Sequence, residues 1–346
     1  MDYMNKDMVC GGAAAKTGVS AGEAAGTGRL QVIVGDVTIG MRGEGFSYLF
    51  SGTRIGMESL VQAGKEWLYR APVPTFWRAL TDNDRGSGFG IKSGMWLAAD
   101  CFIRNAGFAV SIDDRPVTVP MPPANNAYGG AVEAKTAAVT YTYETITTPQ
   151  TTVTVTYEVY AGGGIHVSVR YAGRKGLPQL PVFGMRFVMP TCADRYRYEG
   201  LSGETYPDRM AGGIPDVYEV EGLPVTPYMV PQDCGMHMQT KWVEVYRSAV
   251  LDNSCREKRE TGLCFRAEEG KRIAFACLPY TALELENATH HEELPPARRT
   301  VLTVLGAVRG VGGIDSWGTD VEPAYHISGE EDIAYGFWID GPPAQL

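Results

Sequence analysis

An all-β fold, a large antiparallel sandwich, is predicted by three observations. Three consecutive runs in the middle of the chain place apolar side chains at every second position. Glycine and proline, 42 and 21 of them, recur between short runs of this kind. Persuasive helical periodicity is confined to one short stretch, Ser93 to Phe102.

The runs can be taken in order. From Arg29 onward, Leu30, Val32 and Val34 alternate with Gln31, Ile33 and Gly35, and Tyr48 to Phe50 leads into a turn at Ser51-Gly52. Val139, Tyr141 and Tyr143 share one strand face, Val153, Val155, Tyr157 and Val159 a second, and Ile165, Val167, Val169 and Tyr171 a third. Threonine fills most opposing positions of the first two, as antiparallel strands with one buried and one wetted face require. Gly162-Gly163-Gly164 is the expected hairpin turn between the second and third. Further strands are expected at Val182 to Val188, Ile273 to Leu278, Val301 to Leu305 and Ile333 to Ile339. Residues 10–28 are mostly Ala, Gly, Ser and Thr, which bury too little apolar area to offset the entropy of ordering. The chain therefore reads as a flexible segment, 1–28, followed by one domain, 29–346.

Composition narrows the function classes. Apolar residues at 44% and charged residues at 21% allow a substantial core. The formal charge of −9, with 40 acids against 31 lysines and arginines and no basic run, argues against nucleic acid. No window approaches the roughly 18 apolar residues of a membrane helix, and no apolar stretch near the start suits a signal segment. Seven cysteines (Cys10, Cys101, Cys192, Cys234, Cys255, Cys264 and Cys277) are odd in number and lack any CxxC pair. That usage fits reduced thiols in a cytoplasm and leaves no expected metal site.

Three clusters carry possible chemistry. In Thr75-Phe76-Trp77-Arg78-Ala79-Leu80-Thr81-Asp82-Asn83-Asp84-Arg85-Gly86-Ser87-Gly88-Phe89, acids, an amide and nearby glycines suit a loop that turns sharply to approach a ligand, or an Asx-turn network that only closes a loop. An EF-hand counted from Asp82 fails, because Ser87 and Ser93 stand where glycine and glutamate are needed. In the second cluster, Tyr198 to Arg209, the residues Glu204, Asp208 and Arg209 suit a charge-assisted network that fixes a long connection, and Tyr206 lies among them. The third, Arg309-Gly310-Val311-Gly312-Gly313-Ile314-Asp315-Ser316-Trp317-Gly318, sets an indole among glycines. Trp317 is either a core side chain or a surface on which the apolar face of a sugar can stack.

At these residues the chain resembles a known family. FWRALTDNDRGSGFG, GETYPDR with the later TPYMVPQDCG, and GVGGIDSW are similar to the C-terminal domain of glycoside hydrolase family 2 β-galactosidases. The likeness is closer still to the small subunit of the two-chain enzymes, supported by KEWLYRAPVPTFWRA, and runs in the same order from about Arg29 to Ile339. One departure is Ser202-Gly203-Glu204, where the family commonly has Gly-Pro-x-Glu. The resemblance implies a supersandwich like that of galactose mutarotase. It implies that Trp317 reaches the site receiving the aglycone or acceptor sugar, and that Asp82, Asn83, Asp84 and Gly86 belong to a mobile loop beside the active site. It also implies that the catalytic carboxylates, and the Mg and Na sites, lie on a large partner subunit, so this chain holds no catalytic residue and no cofactor of its own. Terminal β-D-galactosides such as lactose are the implied substrates.

Two rivals come from other function classes, the first of which would use the same fold. A mutarotase would need a histidine and a carboxylate around the sugar C1 and ring oxygens. None of His166, His237, His290, His291 and His326 sits in a matching motif; His166 reads as structural, and His290 and His291 as a solvated turn. A free-standing carbohydrate-binding module would use Trp317 and the tyrosines as its platform.

Overall fold

The structure is a computed structural model that describes residues 28–53, 56–120, 129–251, 259–315 and 317–341. The segment 1–28 thus lies, but for Gly28, outside the described residues, as do Cys10, Cys255 and Ser316.

Alternation dictates the architecture. The strands Thr136–Glu144, Thr152–Tyr160 and Ile165–Tyr171 bury every second residue and pair in antiparallel register, Val139 opposite Tyr157 and Tyr157 opposite Val167. Gly163, at φ 90°, allows the tight reversal between the last two. Seven further strands extend this into a ten-stranded sheet that runs from Pro215–Glu221 at one edge to Arg115–Val117 at the other. A six-stranded sheet contains Leu30–Val34 and Phe46–Ser51, and a five-stranded sheet contains Arg70–Thr75, Val182–Met189, Ile273–Leu278 and Thr300–Val308. All strand pairings among the described residues are antiparallel. The fold is all-β, as the sequence predicts.

One face of the long sheet packs against both smaller sheets. Toward the six-stranded sheet, Tyr157 meets Phe50 at 5.6 Å between ring centroids, and the Tyr141 hydroxyl bonds the carbonyls of Ser51 and Gly56 at 3.0 Å each. Toward the five-stranded sheet, Phe265 meets Phe187 at 5.0 Å and Tyr171 meets Phe183 at 5.4 Å. Aromatic side chains thus fill both interfaces, and the buried Tyr141 and Tyr171 hydroxyls find carbonyl partners that offset their desolvation.

The helical expectations need correction. Ser93 to Phe102 does not form one helix: two single 3₁₀ turns, Gly94–Trp96 and Ala99–Cys101, are separated by Leu97 in an extended conformation and Ala98 at φ 56°. The buried side chains Trp96, Ala99 and Asp100 sit at i, i+3 and i+4, which is why the spacing mimics a helix. Tertiary partners break it, with the Trp96 indole donating to the Pro178 carbonyl at 3.1 Å and Asp100 paired to Arg186. Helices do form at Asp82–Gly86 (α1), Phe89–Lys92 (α2) and Ala282–Asn287 (α3).

Candidate functional site

Helix α1 begins with a capping box. The Thr81 hydroxyl accepts the Asp84 N–H at 3.2 Å, and the Asp84 carboxylate accepts the Thr81 N–H at 2.9 Å. The Thr-Asp-Asn-Asp run is therefore a short helix rather than an open loop, and its acids part company. Asp82 points outward and pairs with Arg85 at 3.2 Å. Asp84 is buried, held by Arg78 at 2.5 Å and by Arg309 at 3.3 Å. Arg309 also pairs with Asp320, and Arg78 donates to the Gly310 carbonyl at 3.1 Å. Burial alone would lower the Arg78 pKa, but the charges of Asp84 and Asp233 and the Asp84 hydrogen bond more than reverse this.

The second cluster serves neighbouring loops. Glu204 accepts the Thr226 hydroxyl at 3.0 Å and the Gly235 N–H at 2.8 Å. Asp208 accepts the N–H groups of Val311 at 3.0 Å and Gly312 at 2.8 Å, and Arg209 donates to the Gly312 carbonyl. The Tyr206 hydroxyl donates to Asp233 at 2.8 Å. Burial pushes the Asp233 carboxyl up to about 7, although the Arg78 charge and the Tyr206 hydroxyl pull the other way.

All three clusters meet at the loop 309–320. The Asn83 amide donates to the Val311 carbonyl at 3.1 Å, and a Cβ on Gly318 would lie 2.6 Å from the Gly86 carbonyl oxygen. On the other flank of α1, Gln232 accepts the Asp82 N–H at 2.9 Å and the Pro231 carbonyl accepts from Arg85 at 3.3 Å. Trp317 stands 90% exposed, so it is no core side chain. Its backbone N–H is held by Asp315 at 2.9 Å.

The structure thus gathers Asp82, Asn83, Asp84, Gly86, Glu204, Tyr206, Asp208, Arg209 and Trp317 into one assembly of helix α1 and two loops. Sequence reasoning passed over Arg78, Arg309, Gln232, Asp233 and Asp320. Arg78 had a signal, a cation inside the apolar run Phe76-Trp77-Arg78-Ala79-Leu80, whereas Asp320 had none. Among the described residues no cluster of three His, Cys, Asp or Glu stands together as a metal site. The described cysteines are free thiols. His166 bonds Glu268 at 2.8 Å and packs 4.8 Å from Trp338, while His290 and His291 are exposed.

Comparison with known proteins adds identity to this geometry. A family profile described as β-galactosidase small chain matches residues 42–339. The chain belongs to that family. The β-galactosidase small subunit of Latilactobacillus sakei is 63% identical over 311 residues, covering 90% of this chain and 98% of that subunit. β-Galactosidase BgaC of Bifidobacterium adolescentis is 33% identical over 329 residues, 94% of this chain but 29% of that protein. A β-galactosidase of Halalkalibacterium halodurans, 33% identical over 319 residues, is likewise spanned over 28% of its length. This member of the small-chain family is therefore homologous to a glycoside hydrolase subunit, and it spans less than a third of those two longer relatives. Among solved structures, a galactose mutarotase-like protein from Lactobacillus casei covers 88% of this chain and 99% of its own at 12% identity. Its TM-score is 0.41. Among the described residues no helix is long and apolar enough to cross a membrane.

Proposed function

We propose that this chain is the non-catalytic small subunit of a two-chain β-galactosidase, completing a site for terminal β-D-galactosides such as lactose. A retaining glycosidase needs an acid and a nucleophilic carboxylate about 5 to 5.5 Å apart. In this reading both lie on a large subunit, which also holds the Mg and Na ions, and the assembled enzyme works in the cytoplasm. The observation that carries the reading is the near-complete overlap with the Latilactobacillus sakei small subunit, 98% of its length at 63% identity.

The geometry supports a supporting role for this chain. Asp84 is buried and engaged by Arg78 and Arg309, so its carboxylate is not presented to a sugar. The exposed indole of Trp317 offers an apolar plane next to the exposed Asp82 helix, suited to orienting a leaving or accepting sugar.

The test is reconstitution. The purified chain is expected to hydrolyse no nitrophenyl galactoside, and activity is expected to appear on mixing with a large catalytic chain. Robust turnover by the isolated chain refutes the reading, and so does anomerisation of fresh α-galactose, which would favour a mutarotase.

A further inference from the structure

The loop 309–320 has a base and a tip with separate fastenings. The base is tied to the body by Asp208, Arg209, Asn83, Arg78 and Asp84, whose bonds reach residues 309–312. The buried Arg309 then pairs with Asp320, so an ion pair closes the loop at its neck.

Beyond the neck the bonding changes. Among the described residues, the hydrogen bonds made by residues 313–315 and 317–319 all end on one carboxylate. Asp315 accepts the Trp317 N–H at 2.9 Å, the Thr319 N–H at 3.2 Å and the Thr319 hydroxyl. The Thr319 hydroxyl and then the Trp317 N–H hold the Asp315 carboxyl below its ordinary range. An indole that is 90% exposed has little packing to orient it, so the local backbone decides where it projects from and which rotamers are open to it.

We propose that Asp315 is a positioning residue: by gathering the Trp317 and Thr319 amides it sets the attitude of the indole, and thereby the affinity for an acceptor sugar. The inference rests on the proposed sugar-facing role of Trp317 and adds a residue that acts only through it. A shelf fixed before the ligand arrives avoids the ordering cost at binding. Asp315 touches neither sugar nor reacting atoms in this scheme.

Two experiments decide it. In the enzyme assembled with a large catalytic chain, the glucose concentration giving half-maximal transgalactosylation is measured. Asp315→Ala is expected to raise it about three- to tenfold, the scale of lost preorganisation, with nitrophenyl galactoside kcat held within about twofold. Asp315→Asn keeps an oxygen for both amides and is expected to restore the wild-type value. In a Trp317→Ala background, Asp315→Ala is expected to add nothing. An equal loss in that background, or an Asn variant as poor as Ala, overturns the proposal. The second experiment uses the chain alone: the fluorescence anisotropy of Trp317, taken as the difference between each protein and its Trp317→Phe counterpart, is expected to fall in Asp315→Ala and hold in Asp315→Asn. If Trp317→Ala leaves acceptor use unchanged, the sugar-facing reading fails, and the anisotropy result still decides whether Asp315 holds the indole. Unchanged anisotropy in Asp315→Ala sinks the positioning claim.

Discussion

The neck and the tip of the loop 309–320 are built in opposite ways. At the neck, Arg78, Asp84 and Arg309 are at most 2% exposed, and the two arginines are paired with Asp84 and, for Arg309, also with Asp320. At the tip, Trp317 is 90% exposed and Asp315 supplies the bonding. The first is buried and bonded within the body and the second is exposed, so on the proposed reading substitutions in the two regions should separate stability from sugar binding.

The largest expected effect is at the neck. Asp84→Ala leaves two buried guanidiniums without their shared partner and removes the α1 capping box, so a loss of about 3–5 kcal/mol is expected. Denaturant titration checks it. A loss below about 1 kcal/mol would mean that the ion network does not hold the loops.

Asp233 comes next and gives the comparison a pH axis. Its carboxyl is pushed up to about 7 from 3.8, first by burial. Between those values the folded state keeps a proton that the unfolded chain releases, so this group's contribution to stability is full below about pH 4 and lost as pH rises through about 7. Relative to Asp233→Asn, the wild-type chain should lose stability with rising pH in that window, by at most about 1.4 kcal/mol per pH unit. Unfolding curves of both proteins at pH 5, 6 and 7 would show it; parallel pH dependences defeat the assignment.

A smaller effect is expected where tip and helix touch. Gly318 sits at φ 81°, and an added Cβ would lie 2.6 Å from the Gly86 carbonyl oxygen. Gly318→Ala is thus strained in both conformation and space, costing about 1 kcal/mol or somewhat more. Gly86→Ala meets its nearest neighbour, the Gly318 Cα, at an ordinary 3.5 Å and serves as the control.

Particular residues show what was legible before the structure. The alternation of Val139, Tyr141 and Tyr143 and the Gly162-Gly163-Gly164 turn reported strands and hairpin correctly, because one-sided burial forces a two-residue period. Trp96, Ala99 and Asp100 misled, because a helical spacing of buried residues was met instead by two turns around Ala98. Helix α3 was passed over, although Thr281 and Glu284 form a capping box that the Thr-x-x-Glu spacing announces. In the site, the three motifs were visible as motifs, but the pairing of Arg309 with Asp84, 225 residues apart, was not. No local pattern encodes a contact between charges that distant in the chain; only the folded sheets bring them together.

The smallest stability effect is expected at the exposed indole of the tip. Trp317 has 90% of its surface in solvent, so truncation removes little buried area and leaves no cavity. Its backbone amide stays bonded to Asp315 whatever the side chain. Trp317→Ala is therefore expected to unfold within about 0.5 kcal/mol of the wild type, the range of ordinary surface substitutions. In the assembled enzyme the same variant should weaken acceptor use while the neck variants act through stability. If Trp317→Ala instead destabilised the chain as Asp84→Ala does, the indole would have to be packed against the body, and the division between neck and tip would disappear.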